Sequence, residues 1–71
     1  MSKKEENNIV TGTVIEALPN TLFRVDTGGE VTVLSYLSGK MRMNRIKVLV
    51  GDRVEVLLDP YGGKGRIVKR V

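Results

Sequence analysis

Apolar and polar residues alternate over short segments of this chain, a pattern typical of β-strands. These segments are rich in Val, Ile and Thr, and turns containing Gly, Pro, Asn and Asp separate them. Phe23 and Val25 share one face of the second segment, opposite Arg24, so we expect Phe23 in the core. The pattern predicts five strands, at residues 9–18, 22–26, 31–37, 53–58 and 65–71.

Two of the predicted strands carry further information about the interior. Gly12 interrupts the first, and a glycine inside a strand indicates a bulge, a sharp bend or the close approach of another backbone. In the fourth, the two-residue period predicts that Val54, Val56 and Leu58 face inward.

Residues 38–47 break the strand pattern, and we refer to them as the basic connector. The segment opens with Ser38-Gly39, a natural break in a strand, and most of the following residues tolerate a helical turn. We therefore predict a short helical connector of about two turns at most between the third and fourth strands. It contains no acidic residue and four cationic ones, which are Lys40, Arg42, Arg45 and Lys47.

Five short strands with one helical insertion predict an all-β domain closed into a barrel. A sheet of this size cannot bury both faces, and closure removes its exposed edges. The order of elements matches the five-stranded oligonucleotide-binding (OB) barrel, while strand propensity alone is equally compatible with an SH3-like barrel. We expect one domain over residues 9–71, preceded by a flexible polar tail over residues 1–8.

Composition argues against catalysis. The chain has neither Cys nor His, so disulfides, thiolate metal sites and the usual general base are absent. The acidic residues are dispersed, and we expect them on the surface or as cross-strand partners of Arg24 and Arg53. The Gly-rich stretch 62–66 leads into a strand and not into a helix, which disfavours a P-loop. We expect a non-enzymatic protein without cofactor or metal and, because neither a signal peptide nor a membrane span is visible, a cytosolic one.

Positive charge is concentrated in the second half of the chain. Residues 1–36 carry three Lys or Arg against five Asp or Glu (3 − 5 = −2), whereas residues 37–71 carry nine against three (9 − 3 = +6). A solubilising surface would account for a modest net charge, but this clustering favours a polyanionic partner. The last eight residues form a second stretch without acids, which can adjoin the basic connector in a small barrel and contains Lys64, Arg66, Lys69 and Arg70.

The few aromatic residues favour recognition of the shape and backbone of folded RNA. Proteins that bind single strands by stacking present several exposed rings, and this chain has only Phe23, Tyr36 and Tyr61. Met41 and Met43, in the basic connector, are each compatible with core filling or with an RNA contact.

A string of motifs resembles translation initiation factor one of bacteria and plastids over about residues 7–70. The resemblance implies an OB barrel that binds the small ribosomal subunit at the decoding (A) site and contacts ribosomal RNA and a neighbouring ribosomal protein. It also implies a protein that is monomeric when free and works with the other two initiation factors in selecting the start codon and initiator tRNA. The motifs that carry it are Gly12-Thr13-Val14, Glu16-Ala17-Leu18-Pro19-Asn20, Phe23-Arg24-Val25, Ser38-Gly39-Lys40-Met41-Arg42, Gly51-Asp52-Arg53-Val54, Pro60-Tyr61 and Lys64-Gly65-Arg66-Ile67.

The resemblance also implies which residues contact RNA. Tyr36 stands where many bacterial members have His, Arg45 replaces a frequent aromatic residue, and the loop from Pro60 to Lys64 is one residue shorter than usual. A general RNA chaperone or single-strand binder on the same fold is the alternative function, and a protein-interaction barrel is a third. By motif match the resemblance implies RNA contacts at Lys40, Arg42, Lys47, Lys64 and Arg66, and we add Arg45 because it contributes a further cation to the basic connector.

Overall fold

The computed structural model describes residues 8–30 and 32–71. Residues 1–7 of the predicted tail lie outside the described residues. Val31, at the start of the predicted third strand, also lies outside them. The elements are β1 (Ile9–Ala17), β2 (Leu22–Asp26), β3 (Val33–Leu37), α1 (Gly39–Met43), β4 (Arg53–Leu57) and β5 (Gly65–Arg70).

The strands close into a barrel in the order β1-β2-β3-β5-β4, and β4 pairs with β1. All neighbouring strands are antiparallel except β3 and β5, which are parallel. A parallel pair needs a long crossover connection, and here the crossover contains α1 and β4. This topology, with its helix between β3 and β4, is that of the OB barrel, so the prediction is confirmed and the SH3-like alternative is excluded.

The interior of the barrel follows the two-residue period of the strands. Phe23 and Val25 lie in the core, as predicted, and Val54 and Val56 are fully buried. Leu58 is partly buried just beyond the end of β4. The buried hydrophobic residues are Val14, Phe23, Val25, Met41, Val48, Val54, Val56 and Ile67.

Two small residues let the parallel strands approach each other. Ser35 and Gly65 are partners in the β3–β5 register, and both are buried. A Cβ atom at Gly65 would lie 3.0 Å from the Ser35 hydroxyl oxygen and 3.0 Å from a methyl carbon of Val33, both on β3, and 2.6 Å from a methyl carbon of Val56 on β4. The Ser35 hydroxyl donates a hydrogen bond to the Val33 carbonyl at 3.4 Å, so this buried polar group has a partner.

Gly12 marks a close backbone approach. A Cβ atom there would lie 2.6 Å from Val25 Cγ1 and 2.7 Å from the carbonyl oxygen of Asp26, across the β1–β2 pair. The bulge of this strand pair falls later, between Val14 and Glu16. Of a bulge, a sharp bend and a close backbone approach, the close approach therefore explains the glycine at position 12.

We expect the substitution Gly12→Ala to destabilise the barrel by about 1–3 kcal/mol, since its Cβ must displace backbone as well as side chain. The free energy of unfolding in urea measures the change. Gly39→Ala is the matched control, because nothing lies within 4 Å of a Cβ there and alanine favours the helix. Equal stability of the Gly12→Ala and wild-type proteins would contradict the close approach.

Candidate nucleic-acid interface

The helix α1 depends on Ser38, the residue that precedes it. A helix of five residues is too short to be stable in isolation. The Ser38 side-chain oxygen accepts a hydrogen bond from the Met41 N–H at 3.2 Å. The Ser38 backbone carbonyl accepts one from the Arg42 N–H at 3.1 Å. Its own N–H donates to the Ile67 carbonyl at 3.0 Å. These bonds start the helix and hold that start against β5.

The two methionines of α1 have different environments. Residues two positions apart in a helix point about 200° apart around its axis. Met41 is 2% exposed and belongs to the barrel core, whereas Met43 is 83% exposed. Core filling is therefore the role of Met41, and Met43 lies on the surface among the cationic side chains of the basic connector.

The helix ends in a Schellman motif, with Arg45 in the left-handed conformation. The Arg45 N–H donates to the Arg42 carbonyl at 3.2 Å, and the Ile46 N–H donates to the Met41 carbonyl at 3.0 Å. Arg45 has φ +54°, at the position where such motifs usually place glycine. An L-residue in this conformation costs roughly 1–2 kcal/mol. Arg45 keeps this conformation in the folded protein despite the cost, and its side chain is exposed at the end of α1.

The basic connector and the end of β5 lie side by side. Lys40 lines the same depression as Lys69 and Arg70, between α1 and β5. The Arg70 guanidinium also donates a hydrogen bond to the Lys47 carbonyl at 3.1 Å. The expectation that the two acid-free stretches adjoin is confirmed for these residues. We call the resulting group the connector cluster, which contains Lys40, Arg42, Arg45, Lys47, Lys69 and Arg70, all of them exposed.

Asp52 lies beside the connector cluster and organises the turn before β4. Its side-chain oxygen accepts a hydrogen bond from the Leu49 N–H at 2.8 Å and lies 4.0 Å from an Arg70 guanidinium nitrogen. Because the Arg70 side chain is 48% exposed, this ion pair contributes at most about 1 kcal/mol. Its main effect is to help orient Arg70, together with the hydrogen bond to Lys47.

Lys64 and Arg66 line a different depression from the one that Lys40, Lys69 and Arg70 line. Lys64 immediately precedes β5, and the parallel register places Arg66 beside Tyr36 of β3. The Arg66 Nε donates a hydrogen bond to the Tyr36 hydroxyl at 3.4 Å. Sequence reasoning did not include Tyr36 in the site, because its partner is 30 residues away and only the parallel pairing brings the two together.

The cation of β2 has an acidic partner. Arg24 and Glu16 are cross-strand neighbours in the β1–β2 register, and the Arg24 Nε lies 3.0 Å from a Glu16 carboxylate oxygen. This confirms Glu16 as a partner of Arg24. The surface around β2 therefore lacks the excess of positive charge that the second half of the chain carries.

The rest of the described structure bears on metal and membrane binding. In residues 8–30 and 32–71, His, Cys, Asp and Glu side chains form no group of three or more that could hold a metal ion. Among the same residues, no helix combines the length and the apolar character required to cross a bilayer.

The topology and the cationic surface together define a basic OB barrel, an architecture used to bind oligonucleotides. The chain belongs to the translation initiation factor 1A / IF-1 family, whose profile matches residues 1–71. It is 36% identical to translation initiation factor one from the Wolbachia endosymbiont strain TRS of Brugia malayi, whose solution structure matches with a TM-score of 0.72. That match covers 100% of this chain and 88% of the other.

The same barrel also occurs within longer chains. YjeQ from Thermotoga maritima matches with a TM-score of 0.73 and 30% identity, over 89% of this chain and 22% of that one. YloQ, a circularly permuted GTPase, matches with a TM-score of 0.76 and 24% identity over the same shares, a likeness of fold alone. Because this chain spans only 22% of the length of either, the activity of those proteins does not transfer to it.

The left-handed conformation of Arg45 leads to a stability prediction. We expect Arg45→Gly to stabilise the protein by about 0.5–1 kcal/mol, because relief of the strain exceeds the extra freedom of glycine in the unfolded chain. Urea unfolding measures this change. The matched control is Arg42→Gly, within α1, which we expect to destabilise by about 1 kcal/mol. Similar destabilisation by the two substitutions would show that Arg45 is not strained.

Proposed function

We propose that this protein binds the small ribosomal subunit at the decoding (A) site, where it contacts ribosomal RNA and a neighbouring ribosomal protein. It acts there with the other two initiation factors in the selection of the start codon and the initiator tRNA. It is monomeric when free and cytoplasmic, and it acts by binding and not by catalysis. Its membership of the initiation factor family supports this role.

The observation that carries the proposal is the connector cluster. Six cationic side chains lie in the basic connector and at the end of β5, and the acids beside them are Asp52, next to Arg70, and Glu55, the cross-strand partner of Lys69. Such a group neutralises several phosphates at once, which suits a folded RNA with closely spaced backbones. Because α1 is anchored through Ser38 and Met41, the cations project from a fixed support.

The RNA-contacting residues in this proposal come from the basic connector and from the start and end of β5. The proposed contacts are Lys40, Arg42, Arg45 and Lys47 in the basic connector, and Lys64 and Arg66 next to and within β5. Lys69 and Arg70 join them because they lie beside Lys40 and Lys47.

The test is binding of the labelled protein to purified small ribosomal subunits over a range of salt concentrations. We expect the triple variant Lys40→Ala, Arg42→Ala and Arg66→Ala to bind at least about tenfold more weakly, since each hydrogen bond to a charged group contributes roughly 1.5–3 kcal/mol. Each lost phosphate contact lowers the log–log salt dependence by roughly 0.7–0.9.

Arg24→Ala is the control for this experiment. It removes one positive charge, but that charge is already paired with Glu16, so binding should change little. A loss of no more than a few-fold in the triple variant would contradict the assignment of the RNA-contacting residues. Absence of binding at low salt would contradict the function itself, and equal affinity for an unstructured oligonucleotide would favour a general single-strand binder. Chemical footprinting of the subunit RNA tests the location at the decoding site.

A further inference from the structure

We propose that Ile15, Leu49 and Val50 form a protein-docking surface, which we call the apolar patch, for one of the other two initiation factors. The inference rests on the proposed function, in which this protein acts with those factors on the small ribosomal subunit. The partner surface that fits the patch is apolar at its centre and acidic at its border.

The apolar patch is built where a turn lies against β1. The Gly51 N–H donates to the Val14 carbonyl at 2.8 Å, and the Val14 N–H donates to the Asp52 carbonyl at 2.9 Å. These two hydrogen bonds hold the turn over residues 49–52 beside β1. Because Ile15 directly follows Val14, its side chain lies next to the turn.

Three branched aliphatic residues are exposed together at this place. Ile15, Leu49 and Val50 are 45%, 56% and 59% exposed. Single hydrophobic residues are normal on a protein surface, whereas a contiguous group of them indicates an interaction site. Turns, moreover, are usually built from Gly, Pro, Asn, Asp and Ser. The group therefore has the composition expected at the centre of a protein–protein interface.

The backbone fixes the aliphatic side chains of the patch in position. The Asp52 N–H donates to the Leu49 carbonyl at 3.0 Å, and the Leu49 N–H donates to an Asp52 carboxylate oxygen at 2.8 Å. Gly51 has φ +100°, which suits the third position of a type II turn. Ile15 is the extra residue of the bulge in the β1–β2 register, and such bulges redirect a side chain. A surface held in this way loses little conformational entropy on binding.

Cations flank the turn on both sides. Arg53 follows it directly, is exposed and lies outside the connector cluster. Lys47 precedes Leu49 by two residues and belongs to the connector cluster. While the connector cluster binds RNA, Arg53 is therefore the cation that a second partner meets at the patch.

The acids nearest to the patch are both engaged in ion pairs. Asp52 lies 4.0 Å from an Arg70 guanidinium nitrogen, and Glu16, which follows Ile15, lies 3.0 Å from the Arg24 Nε. Their charges are thereby offset, whereas Arg53 contributes positive charge to the border. Electrostatic complementarity then calls for acidic residues around the apolar centre of the partner.

This chemistry favours an initiation factor over the neighbouring ribosomal protein as the occupant. Proteins that lie on RNA carry basic surfaces, and a basic border would repel Arg53. The patch also adjoins the connector cluster, since the Arg70 guanidinium donates to the Lys47 carbonyl at 3.1 Å and lies beside Asp52 of the turn. A partner on the patch would therefore stand beside the RNA contact without replacing it.

The test measures binding of the labelled protein to small ribosomal subunits, alone and with each of the other two purified initiation factors. The double variant Leu49→Asn and Val50→Asn removes the apolar centre with a residue that suits turns. We expect one of the two factors to raise the wild-type affinity at least about tenfold and that of the variant no more than about threefold. On bare subunits the two proteins should bind alike, because the proposed RNA contacts are intact.

Two further variants separate the patch from general effects of substitution. Tyr61→Asn is the matched control, because Tyr61 is 93% exposed and follows the opposite end of β4. It should keep the full gain in affinity. Arg53→Glu leaves the apolar turn unchanged and reverses the charge at its border, so it should reduce the gain at least about threefold.

The outcomes distinguish the docking surface from the proposed function. An equal gain in wild type and in a folded double variant, or no gain of the wild type with either factor, would overturn the docking surface alone. Weaker binding of the double variant to bare subunits would assign the patch to the subunit, and a wild-type dimer absent from the variant in sedimentation would assign it to a second copy. Either result would also overturn the proposal. Failure of the wild type to bind bare subunits at low salt would instead contradict the proposed function.

Discussion

The hydrogen bond from the Ser38 N–H to the Ile67 carbonyl, at 3.0 Å, joins the barrel to the surface that we propose binds RNA. This hydrogen bond extends the pairing of β3 with β5 by one residue beyond the end of β3. The same residue caps α1 through its side chain, and Met41 then fills the core below. A helix too short to form alone is thus built as an extension of the sheet, and the positions of its cations depend on this junction.

Arg45 shows how stability and binding compete at this surface. The Schellman motif favours glycine at this position, and the chain has an arginine in the left-handed conformation instead. Strain of this kind persists where the surrounding structure compensates for it, often at functional sites. Here the Met41 and Ser38 contacts compensate, and the protein gains an exposed cation at the end of α1.

The distribution of charge gives the barrel two different sides. On β1 and β2, the cation Arg24 is paired with Glu16, and Asp26 adds a second acid. Around α1 and β5, the cations outnumber the acids, and Asp52 orients Arg70 and does not neutralise the cluster. Attraction of a polyanion to one side would orient the barrel before close contacts form.

The sequence by itself determined the strands, the core positions of Phe23 and Val25, and the basic connector, because these depend on local periodicity and propensity. The cations of the basic connector and of the last eight residues could also be read directly from the sequence. Only the tertiary structure decided that Met41 is buried and Met43 exposed, that Arg45 is left-handed, and that Arg66 bonds to Tyr36. The physical reason is that these features arise from closure of the barrel, in which a parallel pairing joins residues 30 positions apart that no local pattern connects.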